Sequence, residues 1–234
     1  MILALAVSNV VCAMVFGHRY EHDDAEFKDL MTSNTTFVRA FEYDSFIDVF
    51  PILRYFPNKR IKNIKYALSL RNPIIQKELE THKRNFDGET VKDLADALLK
   101  ALSEAEKEEK YLKSYLTDEY MLAILDDMFG AGSETTVTVL RWTILYLVKF
   151  PEVQEKCCQE MERMLEEGRA AVLSDRPSLP YLDATIHEIL RLSSIAPFAV
   201  PHKTTCDTSL SGYSIPKDTQ VSCVASKIIT TSLV

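Results

Sequence analysis

Residues 117–150 read TDEYMLAILDDMFGAGSETTVTVLRWTILYLVKF, and this stretch decides the fold. Its pattern predicts one helix roughly 50 Å long, far above the usual length in a globular domain. Thr117 offers an N-cap oxygen, and Asp118 and Glu119 place negative charge in the first turn, where the helix dipole favours it. Pro151 closes the far end, because it pushes the residue before it out of the helical region. Both halves are apolar almost all round, which predicts a helix that crosses a core. The middle breaks the pattern with Gly130-Ala131-Gly132-Ser133-Glu134-Thr135-Thr136. Each glycine costs about 1 kcal/mol against alanine inside a helix. An acid beside a hydroxyl loses solvation on burial unless both are partnered.

The residue types at this point carry chemistry. Gly132 removes side-chain bulk, so a flat ligand has room against the backbone. Thr135 is spaced to donate to the carbonyl of Ala131, four residues earlier, a bond that loosens and bends a helix. A bend edged by a hydroxyl and a carboxylate holds water and passes protons. Two readings stand on these residues alone. Either the turn faces a ligand, or a glycine-softened helix crossing holds Glu134 in a structural ion pair.

The whole chain sets bounds. Its 234 residues suffice for one domain with a sizeable core, or part of a larger one. Hydrophobic residues at 47% and charged residues at 26% are an ordinary globular balance. A net charge of −7 argues against nucleic acid as a partner. Only 6 glycines and long periodic segments predict a mostly α fold. Cys12, Cys157, Cys158, Cys206 and Cys223 are odd in number, with no CxxC pattern, which argues against a disulfide scaffold or a zinc site. The opening MILALAVSNVVCAMVF lacks a preceding Lys or Arg, and at 16 residues is too short to span a bilayer. It is read as a buried core helix ending near Gly17.

Further along, His18 and His22 are read as solvated turn residues. A second helix is expected over residues 24–41, containing the formal glycosylation sequon Asn34-Thr35-Thr36. Residues 46–57 are aromatic and punctuated by prolines, and Lys59, Arg60, Lys62 and Lys65 follow. This is either a segment resting on a membrane surface or a packed loop leading into a helix with a basic face. A long helix is expected over 59–85, kinked or broken at Pro73. Val91, Leu94, Ala95, Leu98, Leu99 and Leu102 mark another helix, and residues 104–113 a charged connector. Pro151 opens a further helix, residues 168–180 form a loop, and a short helix covers 182–192. In that helix Glu188 and Arg191 are i, i+3 neighbours flanked by apolar groups, which predicts an ion pair at least partly buried. Beyond Ser194 the chain turns extended. A hairpin is expected over 208–215, turning at Ser211-Gly212, with another strand over 219–224.

AGSETT in a long helix, E-x-x-R some fifty residues on, and an extended P-H-K segment follow one another in this order. Together they resemble the cytochrome P-450 haem-thiolate monooxygenases. Within that family they resemble the microsomal animal group of aromatic-hydrocarbon hydroxylases and steroid 17-hydroxylase/17,20-lyase. FGHRYEHDD, PILRYFPN, LSDRPSLPYLDA and PHKTTCDTSLSGYSIPK are similar to the hydrocarbon-hydroxylase side; FGAGSETT, DATIHEILRL and APFAVPHK lean to the steroid side. The resemblance implies a mostly α, partial cytochrome P-450 fold with a small β region near the C-terminus. It implies a single partial domain over 1–234: a helical core at 1–192, an extended and hairpin segment at 195–224, and an atypical tail at 225–234.

By the same resemblance Glu134 and Thr135 match the acid–alcohol pair that relays protons during dioxygen activation, and Ala131 and Gly132 the bend over a haem face. Glu188 and Arg191 match a structural pair that braces the haem-side core, and His202 a residue that bonds a haem propionate. Ile195, Ala196, Phe198 and Val200 match a loop lining the substrate pocket, with residues 37–44 near another lining segment. The implied cofactor is haem b. The implied partners are NADPH-cytochrome P-450 reductase, cytochrome b5, a hydrophobic small-molecule substrate and a membrane surface. The implied location is the cytoplasmic face of the endoplasmic reticulum membrane.

The chain departs from the family at one point. The family's iron ligand is a cysteine in an F-x-x-G-x-x-x-C-x-G loop, and none of the five cysteines has that context; Cys223 lies in a strand-like VSCVAS run. The expectation is an internal piece of a monooxygenase, without a metal ligand of its own, that does not hold haem by a thiolate when isolated. A truncated, non-catalytic helical remnant is the alternative. An unrelated helical module is a third, which requires Glu188 and Arg191 exposed and unpaired.

Overall fold

The structure is a computed structural model that describes residues 2–40, 52, 56, 58–107, 116–165, 168–197, 199 and 202–222. The expectations for residues 46–50, the tail at 225–234, Cys223, Phe198 and Val200 lie outside these. The fold is mostly α with small antiparallel strands near the C-terminus. The helices are α1 (Ile2–Phe16), α2 (Ala25–Arg39), α3 (Lys59–Asn85), α4 (Leu94–Lys107), α5 (Asp118–Lys149), α6 (Pro151–Met164) and α7 (Pro180–Ser193), with a 3-10 turn at Leu173–Ser178. None of the described helices is long and apolar enough to cross a membrane. The chain divides into two compact units, Met1–Val137 and Thr138–Val234, with the boundary inside α5.

In the first unit the starts of α2, α3, α4 and α5 each have a side-chain cap. Asp24 accepts from Glu26 N at 2.8 Å, Asn58 from Arg60 N at 2.7 Å, and Asp93 from Asp96 N at 2.9 Å. Thr117 Oγ1 accepts from Tyr120 N at 3.4 Å. Asp93 makes α4 start three residues after Val91, which is left exposed. Gly17 ends α1 with φ +74°, a conformation that favours glycine, and an added Cβ would sit 2.3 Å from Asp93 Oδ2. Asn9 then holds Tyr20 by both backbone groups, at 2.9 and 2.8 Å. The core gathers Cys12, Phe16, Phe27, Leu30, Ile75 and Leu79 with Ala95, Leu99, Met121, Leu125 and Phe129. The first helix is therefore a core element.

Two expectations change here, and the sequon is placed. Pro73 lies inside a helix that runs unbroken from Lys59 to Asn85, and burial of Ala67 and Arg71 before it and of Ile74 and Ile75 after it anchors both sides of the proline. His18 does not stand wholly in solvent, because its Nε2 reaches the buried Glu78 at 3.1 Å. Asn34 of the sequon is 2% exposed within α2, so no glycan fits on it in this fold.

In the second unit α6 and α7 pack together. The carboxylate of Glu160 accepts from Tyr181 N and Leu182 N at 2.9 and 2.8 Å, so α7 starts at Pro180, two residues earlier than its apolar pattern predicts. The stretch expected as plain loop contains the 3-10 turn, because Asp175 accepts from Val172 N at 2.8 Å and is gripped by Arg169. The strands are β1 (His202–Lys203), β2 (Thr208–Leu210), β3 (Tyr213–Ile215) and β4 (Gln220–Val221). β2 pairs with β3 through a turn at Ser211-Gly212, both with positive φ, the conformation a two-residue hairpin requires. β1 pairs with β4 in antiparallel register, His202 opposite Val221.

Candidate functional site

The turn at Gly130–Thr136 stays α-helical, and α5 is continuous from Asp118 to Lys149. The bond that was expected to loosen it is present. Thr135 Oγ1 donates to Ala131 O at 2.6 Å. Ser133, fully buried one face away, donates to Phe129 O at 2.7 Å in the same manner. Gly132 does not present open space. A Cβ there would lie 3.3 Å from Val11 Cγ2, so this glycine makes room for α1. The open side belongs instead to Met128, Ala131 and Thr135, spaced i, i+3, i+7 and exposed, with Glu134 half-buried beside them.

Beneath that turn lies a polar group that the sequence pattern did not reveal. Arg71, 2% exposed, donates from Nη2 to Asp126 Oδ2 at 2.7 Å, and its Nε lies against Asp126 Oδ1. Its guanidinium stacks 5.1 Å from the centre of the Phe37 ring. Gly130 leaves room for it, since an added Cβ would be 3.4 Å from Arg71 Nη1 and 3.9 Å from Asn34 Oδ1. Burial pushes the Asp126 carboxyl above its ordinary value, with Arg71 pulling against that rise. The signal was available in α3. Ala67, Arg71, Ile74, Ile75 and Glu78 form one helical stripe, and a charge on such a stripe must find a buried partner.

The other predicted residues belong to the second unit. Glu188 and Arg191 form a two-pronged pair on α7, at 2.7 and 2.6 Å. Arg191 holds the Glu188 carboxyl below its ordinary value through that hydrogen bond. The pair is not closed in: Glu188 is 52% exposed, and Ile186 and Leu190 around it are exposed as well. An unpaired surface Glu and Arg, which the unrelated-module reading requires, is not what is found. Ile195 and Ala196 are exposed just after Ser194, whose φ of +38° ends α7. His202 is exposed on β1. The structure brings Glu188 to Arg191 and Thr135 to Ala131.

A haem needs a flat wall and an axial donor. The Ala131–Thr135 face fits the wall, being small-sided and open. The described cysteines do not fit the donor. Burial, reinforced by the charge of Glu78, pushes the Cys12 thiol up to about 12, so it stays protonated. Cys157 is buried and 3.6 Å from Thr185 Oγ1, while Cys158 and Cys206 are exposed without the glycine-rich loop of the family motif.

The chain is 42% identical to the steroid 17-alpha-hydroxylase/17,20 lyase of Gallus gallus over 220 residues, which cover 94% of this chain and 43% of that protein. It is equally similar, 42% over 219 residues, to cytochrome P450 1A1 of Platichthys flesus, covering 94% of this chain and 42% of that protein. The corresponding steroid enzyme of Rana dybowskii is 41% identical over 221 residues. The chain thus spans less than half the length of these relatives. The family model for cytochrome P450 matches residues 1–230, and with a mostly α fold built around the AGSETT helix, this chain belongs to the cytochrome P450 family.

Proposed function

We propose that this chain forms the proton-handling wall of a haem-dependent monooxygenase that hydroxylates an apolar substrate, a steroid or a planar aromatic. The observation that carries this reading is the open face of α5: exposed Ala131 and Thr135, joined by a 2.6 Å hydrogen bond, with Glu134 half-buried at its edge. When bound, haem b supplies the oxygen chemistry. Ala131 keeps the wall flat. Thr135 holds its proton at Oγ1 against the Ala131 carbonyl, and a hydroxyl that gives up this proton can take another from water. Glu134, one residue away, takes a proton from solvent on a carboxyl oxygen and passes it to that water.

Glu188 and Arg191 brace the helix they share. His202 offers a ring N–H to an anionic edge of the cofactor. Ile195 and Ala196 line the substrate side, together with Phe198 and Val200. Electrons reach the site through NADPH-cytochrome P-450 reductase, with cytochrome b5 as a second donor, at the cytoplasmic face of the endoplasmic reticulum membrane. The similarity to both a steroid hydroxylase and cytochrome P450 1A1 supports the apolar class of substrate and leaves steroid and planar aromatic level. The thiolate ligand is assigned to a segment outside these 234 residues, because none of the five cysteines lies in an F-x-x-G-x-x-x-C-x-G loop.

In the whole protein, Glu134→Gln with Thr135→Ala should let NADPH consumption continue while product falls. An unchanged ratio of product to NADPH would sink the assigned roles. The isolated chain, mixed with haem and reduced under carbon monoxide, should lack the thiolate-haem absorption band. Its appearance would place the ligand within this chain.

A further inference from the structure

His82, in the last turn of α3, has an acceptor at each ring nitrogen. Nδ1 lies 2.8 Å from the backbone oxygen of Glu78, which can only accept. Nε2 lies 2.9 Å from Asp93 Oδ2. A neutral imidazole carries one N–H, so in either tautomer one ring lone pair would face an oxygen lone pair. The geometry is satisfied when both nitrogens are protonated. We propose that His82 is a proton-operated clasp: its imidazolium ties the end of α3 to the start of α4, and its deprotonation loosens that junction.

The surroundings support the charged form. The ring sits at a helix C-terminus, where positive charge is favoured, while Asp93 and Asp96 sit at a helix N-terminus, where negative charge is favoured. Asp93 also caps α4 through Asp96 N and lies against Gly17, whose missing Cβ leaves it the space. Moving Asp93 therefore disturbs the α1–α2 turn, the α4 cap and α3 together. The charged groups around the ring are Asp93, which caps α4, Asp96 within α4, and Glu78 on α3, while Asp87 and Lys92 of the connecting loop border the same cavity. The Glu78 carboxylate is taken up by Tyr20 at 3.0 Å and His18 at 3.1 Å. Burial by itself would disfavour the charge; the Glu78 carbonyl and the Asp93 carboxylate outweigh it, and the His82 pKa stands above its ordinary 6.5. A cavity of about 200 Å³ bordered by His82, Asp93 and Asp96 gives protons a route to the ring.

A divalent ion between the same three side chains is the less favoured occupant. Asp96 Oδ2 is already engaged by Lys92 N at 3.2 Å and Asp93 Oδ1 by Asp96 N, and the 2.9 Å between Nε2 and Oδ2 is the length of a single hydrogen bond.

The sign follows from the raised pKa. The clasp contributes fully below the unfolded-state value of about 6.5 and is lost as pH rises through the higher folded-state value. Thermal unfolding of the full 234-residue chain should therefore show a midpoint that falls across that window. In His82→Gln the fall should flatten, while in His22→Gln it should persist. Nitrogen-15 spectra of the His82 ring across a pH series should show the second proton leaving above 6.5, a readout that needs no variant to fold. A ring that titrates at or below 6.5, or an identical pH slope in wild type and His82→Gln, overturns the proposal. So does a zinc-induced rise in the midpoint at high pH that His82→Gln abolishes, since the cation would then be a metal.

Discussion

The two halves of α5 are alike in composition and opposite in fate. In the N-terminal half Met121, Leu125 and Phe129 are each fully buried, and Phe129 stacks on Phe16 with ring centres 6.5 Å apart. In the C-terminal half Ile144, Leu145 and Val148 are 50%, 53% and 73% exposed. That half stabilises itself along its own length, through the ladder of Trp142, Tyr146 and Phe150 at 5.6 and 6.4 Å, with the Lys149 ammonium over the last ring. The two units differ in the same way. Buried apolar side chains in the described part of the second are few, Cys157, Leu179 and Ile189 among them, whereas the first has a continuous core. An apolar helical face states a demand for burial; whether it is met depends on what the rest of the chain brings to it.

The largest test of this contrast is a pair of truncations. Phe129→Ala removes a fully buried ring and should cost about 4 kcal/mol, whereas Leu145→Ala should cost under about 0.5 kcal/mol. Denaturant unfolding followed at both sites would measure this, and equal costs would erase the distinction between the halves. Next is the buried pair under the AGSETT turn. Arg71→Met leaves Asp126 without its cation and should cost about 3 kcal/mol, and adding Asp126→Leu should recover much of that, because two apolar groups suit the site better than one stranded charge. A double variant worse than either single one would show that the pair is held by something besides its charges.

A smaller effect is expected where α1 meets the turn. Gly132→Ala gains about 1 kcal/mol of helix propensity against a 3.3 Å approach to Val11 and should come out near neutral. Gly132→Val adds bulk at that contact and should cost about 1–3 kcal/mol. A free gain for valine would mean that the space was open after all. Smallest of all, Val148→Lys on the exposed half should shift stability by no more than about 0.5 kcal/mol and should reduce binding of an apolar dye. A large loss of stability there would mean that this face is covered in solution.

Much of this molecule was legible along the chain because the forces involved act over a few residues. The cap at Thr117, the hairpin turn at Ser211-Gly212 and the Thr135–Ala131 bond were readable from residues no more than a turn apart. So were the apolar stripes of the helices, though not the unbroken run of α3 through Pro73. Arg71 was the missed opportunity: its place on the Ala67–Ile74–Ile75 stripe marked it as a buried charge, although nothing nearby in sequence named Asp126 as its partner.

The amino-acid sequence alone determined the helical framework, the family resemblance and the Thr135–Ala131 bond, since periodicity, capping and motif order are written locally. Only the tertiary structure decided that Gly132 faces Val11 while Ala131 and Thr135 face outward, that Glu188 and Arg191 meet in the open, and that His82 sits between two acceptors. Each of these depends on which side chains the fold brings, or does not bring, from other parts of the chain, where packing geometry chooses among arrangements that local pattern leaves equal.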